Sequence, residues 1–257
     1  LPDYLSICLI VCPLIFLAGF VDSVAGGGGL ISLPAYLLCG FPAHLAAGTS
    51  KVVNGIGTLT AAGKFIRERK INLKYALLAG IGALIGSAAG TRIALLLSGD
   101  ALKIVILCAL PLVAAALFLK KDFGGESSAS ARPRNPKQDA VLSLLIGLGL
   151  GCYDGMVGPG TGTFMIMAFT ALIGMDLLTA SGCAKVANLA SNIASATVWL
   201  LNGQVALWLV VPAAACSVAG NYLGARYAIR GGSKRVRYMI FVVLALLFGK
   251  LALDLLG

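Results

Sequence analysis

Hydrophobic and polar positions alternate along this chain in long blocks. Apolar pieces run at about 4–21, 30–38, 46–63, 75–97 and 101–119, and again at about 140–153, 162–174, 185–202, 205–229 and 236–256. A bilayer core of roughly 30 Å takes about 20 apolar residues per helical span, so most of these pieces predict membrane-spanning helices. The pieces 30–38 and 162–174 are short: nine residues of helix reach only about 14 Å. Each follows a glycine-rich break, "DSVAGGGG" at 22–29 and "DGMVGPG" at 154–160. Such a piece either crosses with help from unwound backbone or enters and returns.

Composition agrees with this pattern. The 257 residues are 59% hydrophobic and 12% charged, against about 25% charged in soluble domains. The net charge of +10 would suit nucleic acid, but its placement does not. Fifteen of the 20 basic residues sit in the stretches 64–74, 120–139 and 226–237, between apolar pieces. That is the positive-inside pattern, so loops 64–74, 120–139 and 230–237 are expected in the cytoplasm. The partner implied is a lipid bilayer, with no role for nucleic acid. The seven cysteines lie in apolar stretches without CxxC spacing and read as small buried hydrophobes rather than a disulfide scaffold. Asp3 in place of a basic flank argues against a signal peptide.

The two halves repeat one another. "GTSKVVN" (48–54) matches "GCAKVAN" (182–188), and "GSAAGTRIA" (86–94) matches "GNYLGARYA" (220–228), both offset by 134; the glycine breaks match at offset 132. The expected units are a first transmembrane repeat at 1–119, a cytoplasmic linker at 120–139 and a second repeat at 140–257. Basic residues follow 46–63 directly, whereas its counterpart 185–202 ends in the uncharged "LNGQVA". Equivalent helices then point in opposite directions, and the repeats are inverted. Trp199 and Trp208 flank the expected outer loop, where amphipathic rings favour the interface. The fold class predicted is an all-α integral membrane protein of two inverted repeats, with broken or re-entrant helices at the centre.

Inverted repeats with interrupted segments at corresponding positions point to a secondary transporter whose site lies where the repeats meet. Irregular backbone at membrane depth needs protein or a wet cavity around it. Glycine lets a ligand approach the main chain, and a helix starting there favours an anion. Candidate substrate-binding positions are therefore Gly26, Gly27, Gly28 and Gly29, with Gly158, Gly160 and Gly162. Tight helix packing is the competing use of glycine. Lys51, Asn54 and Thr58 form a helical stripe matched by Lys185, Asn188 and Asn192. A lysine within a span needs a partner or a wet cavity unless it snorkels, and these stripes could bind an oxyanion or hold unwound carbonyls. Asp22 and Asp154 have three readings: caps on the short helices, partners of the lysines, or carriers of protons. Arg92 and Arg226 are matched near segment ends and read as membrane-edge anchors. His44 is unmatched, Leu178 standing at its counterpart, and reads as structural. One histidine leaves few routes to zinc or triad chemistry, so no metal, cofactor or catalytic residue is expected, and the chain is read as not an enzyme.

The paired "D-x-x-x-G-x-G" and "G-x-x-K-x-x-N" elements, with a basic loop after the first repeat's third segment, resemble the sulfite exporter TauE/SafE family. It is also called the 4-toluene sulfonate uptake permease family. The resemblance spans Asp22 to Arg237, and departs from symmetry at Pro159 and Thr161, where the first repeat has Gly27 and Gly29. It implies transport of a small anion such as sulfite, thiosulfate or an organosulfonate, coupled to protons, by alternating access. The expected location is the inner (cytoplasmic) membrane, multi-pass, with a homodimer an open option. A passive anion channel is the alternative; a sulfur-handling enzyme using Cys183 is a third.

Overall fold

The computed structural model describes residues 4–106, 108 and 135–256, with side-chain surroundings as far as 240. The linker positions 120–134 and the piece 109–119 lie outside the described residues. The chain forms α1 (Tyr4–Ala25), α2 (Gly29–Leu38), α3 (Ala43–Arg67) and α4 (Leu73–Leu96), followed by a helical stretch at 99–106. After the linker come α5 (Pro136–Met156), α6 (Thr161–Ala168), a π-helical turn (Phe169–Ile173), α7 (Leu177–Leu201) and α8 (Leu207–Leu256). No strand occurs among the described residues. Among the described residues, four helices are long and apolar enough to cross a membrane: α1, α4, α5 and the portion Leu207–Ile240 of α8. This is an all-α membrane protein.

Local chemistry explains the helix starts. The side chains of Asn72, Asn135 and Asp176 accept from the first-turn amides of α4, α5 and α7, as N-cap residues do. Asp176 thereby starts α7 eight residues ahead of the apolar piece 185–202. The expected separation of 205–229 from 236–256 is reduced to one residue. Helical backbone continues through the basic stretch and breaks only at Gly232 (φ 62, ψ −162), a conformation that glycine adopts without a Cβ penalty.

Packing is set by small residues, which let membrane helices approach closely. Helix α4 lies along α5: a Cβ added at Gly82, Gly86 or Gly90 would stand 2.2, 2.1 and 2.0 Å from the carbonyl oxygens of Leu144, Leu148 and Cys152. Gly147, Gly151 and Gly155 answer from the other side, against Ala79, Ala83 and Ser87. Helix α1 lies along α8 in the same manner, with Gly220 and Gly224 against Phe16 and Phe20. The first helix of each half therefore packs on the fourth helix of the other.

Helices α3 and α7, equivalent by sequence, run antiparallel to one another. Gly48 abuts Trp199 and Gln204, Gly55 meets Asn192, and Gly182 abuts Phe65 and Lys70. These contacts obey the offset of 134, since Gly48 corresponds to Gly182, Phe65 to Trp199 and Lys70 to Gln204. Each of the two apolar clusters draws on both sides of the linker: one joins Phe65 and Ala79 to Met165 and Ala184, the other Tyr36 and Ala94 to Trp199 and Leu209.

Candidate functional site

The two glycine breaks lie against each other. Helix α1 ends at Ala25, and Gly26 turns the chain at φ 77. Helix α5 ends at Met156, and Gly158 (φ 90) and Gly160 (φ 79) turn it into α6. A Cβ on Gly26 would lie 2.1 Å from the Gly162 carbonyl carbon, so only glycine fits there. The Thr163 hydroxyl donates to the Ala25 carbonyl at 2.7 Å, and the Tyr153 hydroxyl to that of Pro159 at 2.8 Å. Carbonyls freed by the unwinding thus find donors, which irregular backbone at this depth requires.

Two ion pairs join the halves. Lys51 Nζ on α3 meets Asp154 Oδ2 on α5 at 2.7 Å. Lys185 Nζ on α7 meets Asp22 Oδ2 on α1 at 2.9 Å, and donates as well to the Asp22 carbonyl. Each lysine therefore takes its carboxylate from the opposite half. Asp154 also accepts from the Ser191 hydroxyl, and Asp22 Oδ1 from the Gly28 amide at 3.4 Å. Of the three readings open for the aspartates, pairing with lysine is the arrangement present, and Asp22 adds a long contact at the start of α2. Buried ions need such partners, because desolvation costs several kcal/mol per ion (order of magnitude).

A narrow cavity sits between the start of α3 and the end of α7. Its polar walls are Asp22, Ser50, Lys51, Asn54, Asp154, Asn188 and Asn192, and the glycines Gly26, Gly29, Gly158 and Gly162 complete it. It leaves about 30 Å³ for the centres of water-sized occupants, room for about two waters. Gly29 and Gly162 lie in the first turns of α2 and α6, so two helix N-termini face the same space as one ammonium group. Asn54 is held by the hydroxyls of Ser32 (3.2 Å) and Ser50 (3.0 Å), and Asn192 donates to Asn188 at 2.9 Å.

Five other singled-out positions stand outside the cavity walls. Gly27, Gly28 and Gly160 are buried in the breaks, Lys185 is fully buried behind Asp22, and the buried Thr58 hydroxyl has no partner. Arg92 and Arg226 are exposed. His44 packs at a tilt against Trp199, with ring centroids 5.8 Å apart, and its Nε2 lies 3.3 Å from the Ala94 carbonyl oxygen. Cys183 is buried with its thiol on the Asn72 carbonyl.

Trp199 corrects a sequence expectation. Instead of sitting at an interface, it has 0% exposure and lines the cavity, and its indole N–H has no partner. Trp208 remains 47% exposed, packed on Tyr4 and Phe41. The signal that could have found Trp199 was its register: it stands opposite Phe65 across the repeat and two helical turns beyond Asn192.

Apolar helices long enough to span a membrane, with buried charge pairs and broken helices packed among them, define a multi-pass membrane protein. The chain belongs to the sulfite exporter TauE/SafE family, whose sequence model matches residues 11–251. It is similar to a "Probable membrane transporter protein" of Haemophilus influenzae, 35% identical over 93% of this chain and 92% of the relative. It is also similar to "Probable membrane transporter protein ORF9" of Sinorhizobium, 33% identical over 89% and 85% of the two chains. "Probable membrane transporter protein YfcA" of Escherichia coli K12 is 33% identical over 93% and 87%. No solved structure matches the chain.

Proposed function

We propose that the protein is a secondary active transporter of a small sulfur-containing anion, such as sulfite, thiosulfate or an organosulfonate. In this reading it works in the inner membrane by alternating access, with proton coupling. The observation that carries this reading is the crossed pairing of Lys51 with Asp154 at the cavity and of Lys185 with Asp22, the lysine buried behind the cavity wall. The amides at the starts of α2 and α6, the Lys51 ammonium and the free Trp199 N–H present donors to a compact oxyanion. The repeats 1–119 and 140–257 take opposite orientations, with 64–74 and the linker 120–139 in the cytoplasm. The cavity then belongs to the outer half of the membrane, and the matching inner half is closed by Phe65 packed with Ala61, Met165 and Cys183. Rocking one half against the other would exchange the two ends.

Purified protein in liposomes tests this. Sulfite, thiosulfate or a sulfonate should accumulate against its gradient when a pH difference is imposed. Flux that only equilibrates would identify a passive anion channel, and melting-point shifts with carboxylates alone would remove the sulfur assignment.

A further inference from the structure

The pairing of Lys51 with Asp154 carries a sign as well as a site. Lys51 is the ammonium that lines the cavity, and its charge is already taken by a carboxylate at 2.7 Å. An incoming anion meets that carboxylate at the same nitrogen. The remaining groups do little to relieve the conflict. On α7, Ser191 donates to Asp154, and Asn188 and Asn192 are neutral. On α1, Asp22 is a second carboxylate, itself engaged by Lys185. On α4, the Ser87 hydroxyl is spent on the Ser191 carbonyl, and Thr91 on Gly155 and Ser195. On α5 itself, the Tyr153 hydroxyl is bound to Pro159. From α2 and α6 the cavity receives only Gly29, Leu33 and Gly162, none titratable.

We infer that a proton on Asp154 is what releases Lys51 for the anion, so that anion and proton travel in the same direction, as a symport. This rests on the transporter reading above and adds the direction of coupling to it. Charge counting gives the reason. The empty pair, ammonium with carboxylate, is neutral. The pair holding a monovalent anion on Lys51 and a proton on Asp154 is neutral too. Either ligand alone leaves a net buried charge, which a low-dielectric interior disfavours strongly. Only the empty and the fully loaded forms can then rearrange across the membrane at low cost, and this links the two ligands obligatorily. An antiporter would need the reverse, a proton that displaces the anion. No group in the cavity walls offers that exchange.

The test uses full-length protein in liposomes with two monovalent probes that stay ionised near neutral pH, methanesulfonate and ethanesulfonate. Each ionised probe excludes the trivial case of a substrate carrying its own proton. Acid outside should drive uptake, and for methanesulfonate a difference of about one pH unit should sustain about a tenfold accumulation ratio. An imposed potassium diffusion potential should leave that ratio unchanged, since the loaded form is neutral. Binding of the same probes, read as a melting-point shift, should strengthen as pH falls in the native protein and lose that dependence in Asp154→Asn. Accumulation driven by alkaline medium outside, or flux indifferent to the pH difference, overturns the symport while leaving the anion-transport reading standing. Asp154→Asn protein that accumulates methanesulfonate in the acid-driven manner of the native protein also overturns it. Should neither probe move under any gradient, the transport reading fails and this inference with it. The native protein alone decides the sign, whatever the stability of the variant.

Discussion

The two ion pairs are copies of one design in different surroundings. Lys51 is 8% exposed and lines the cavity together with Trp199, Ser50 and Asn54, whereas Lys185 is 0% exposed and follows Cys183 and Ala184 of the apolar cluster that contains Phe65. The same residue types at the same spacing therefore give one lysine at the cavity and one sealed from it. Sequence symmetry supplies the two pairs, and the side chains around them decide which lysine the cavity reaches. Phe65 and Trp199 occupy matched positions, but only the indole brings a hydrogen-bond donor.

The difference between the pairs can be broken deliberately. Lys51→Met leaves Asp154, whose side chain is only 3% exposed, without its cation and should cost about 3–5 kcal/mol of stability. Lys185→Met should cost about half of that, because Asp22 lines the cavity with its side chain 15% exposed and water there can reach it. Thermal unfolding in detergent compares them, and equal losses would mean that the two pairs do not differ energetically.

A second contrast concerns the glycines. Gly26 and Gly40 both have positive φ, 77 and 80, but a Cβ at Gly26 meets the Gly162 backbone while one at Gly40 meets nothing within 4 Å. Gly26→Ala should lose about 2–4 kcal/mol from overpacking and backbone strain together, and Gly40→Ala only about 1 from strain. Comparable melting points for the two variants would contradict the close contact of the breaks.

Trp199→Phe makes the cavity end resemble its Phe65 counterpart and removes a single N–H. Loss of one hydrogen bond to the anion is worth about 1 kcal/mol, so the apparent affinity should fall about fivefold with the maximal rate little changed. An unaltered affinity would assign the indole a packing role alone.

The smallest effect lies at the edge of α7. Burial pushes the Asp176 carboxyl up, but hydrogen bonds from Thr179, Leu178 and Ser233 outweigh it and hold the group below its usual value. The stability it contributes is present above the unfolded carboxylate value of about 4 and is lost as pH falls through the lower folded value. Asp176→Asn keeps the capping oxygen, so its stability relative to the native protein should rise as the pH is lowered below about 4. Asp176→Ala should cost about 1 kcal/mol at neutral pH.

Much of this architecture was readable from residue pattern. Long apolar runs and the duplicated "D…G…G" and "G…K…N" elements placed the helices, the breaks and the two lysine stripes, because bilayer thickness and glycine geometry act locally. The cross-pairing was not readable: Lys185 and Asp22 are 163 residues apart, and spacing alone permits each lysine to pair within its own half. Trp199 was misplaced for a related reason. The turn after α7 folds back onto the start of α3, where the Ala206 amide donates to Thr49 at 2.9 Å and the Gln204 carbonyl abuts Gly48. This covers a ring that its distance along the chain would leave at the surface.

The exchange of carboxylates between halves bears on how the chain is made. When the ribosome has delivered only α1 to α4, Lys51 lacks its counter-ion on α3, a helix not apolar enough to count among the four spans, and the charge adds about 2.5–3.5 kcal/mol to the cost of inserting it. Asp22 waits likewise for Lys185. Biogenesis should therefore stall in a translocon-associated intermediate until α5 and α7 emerge. Either half expressed alone should be degraded, and co-expression of both should rescue the pair.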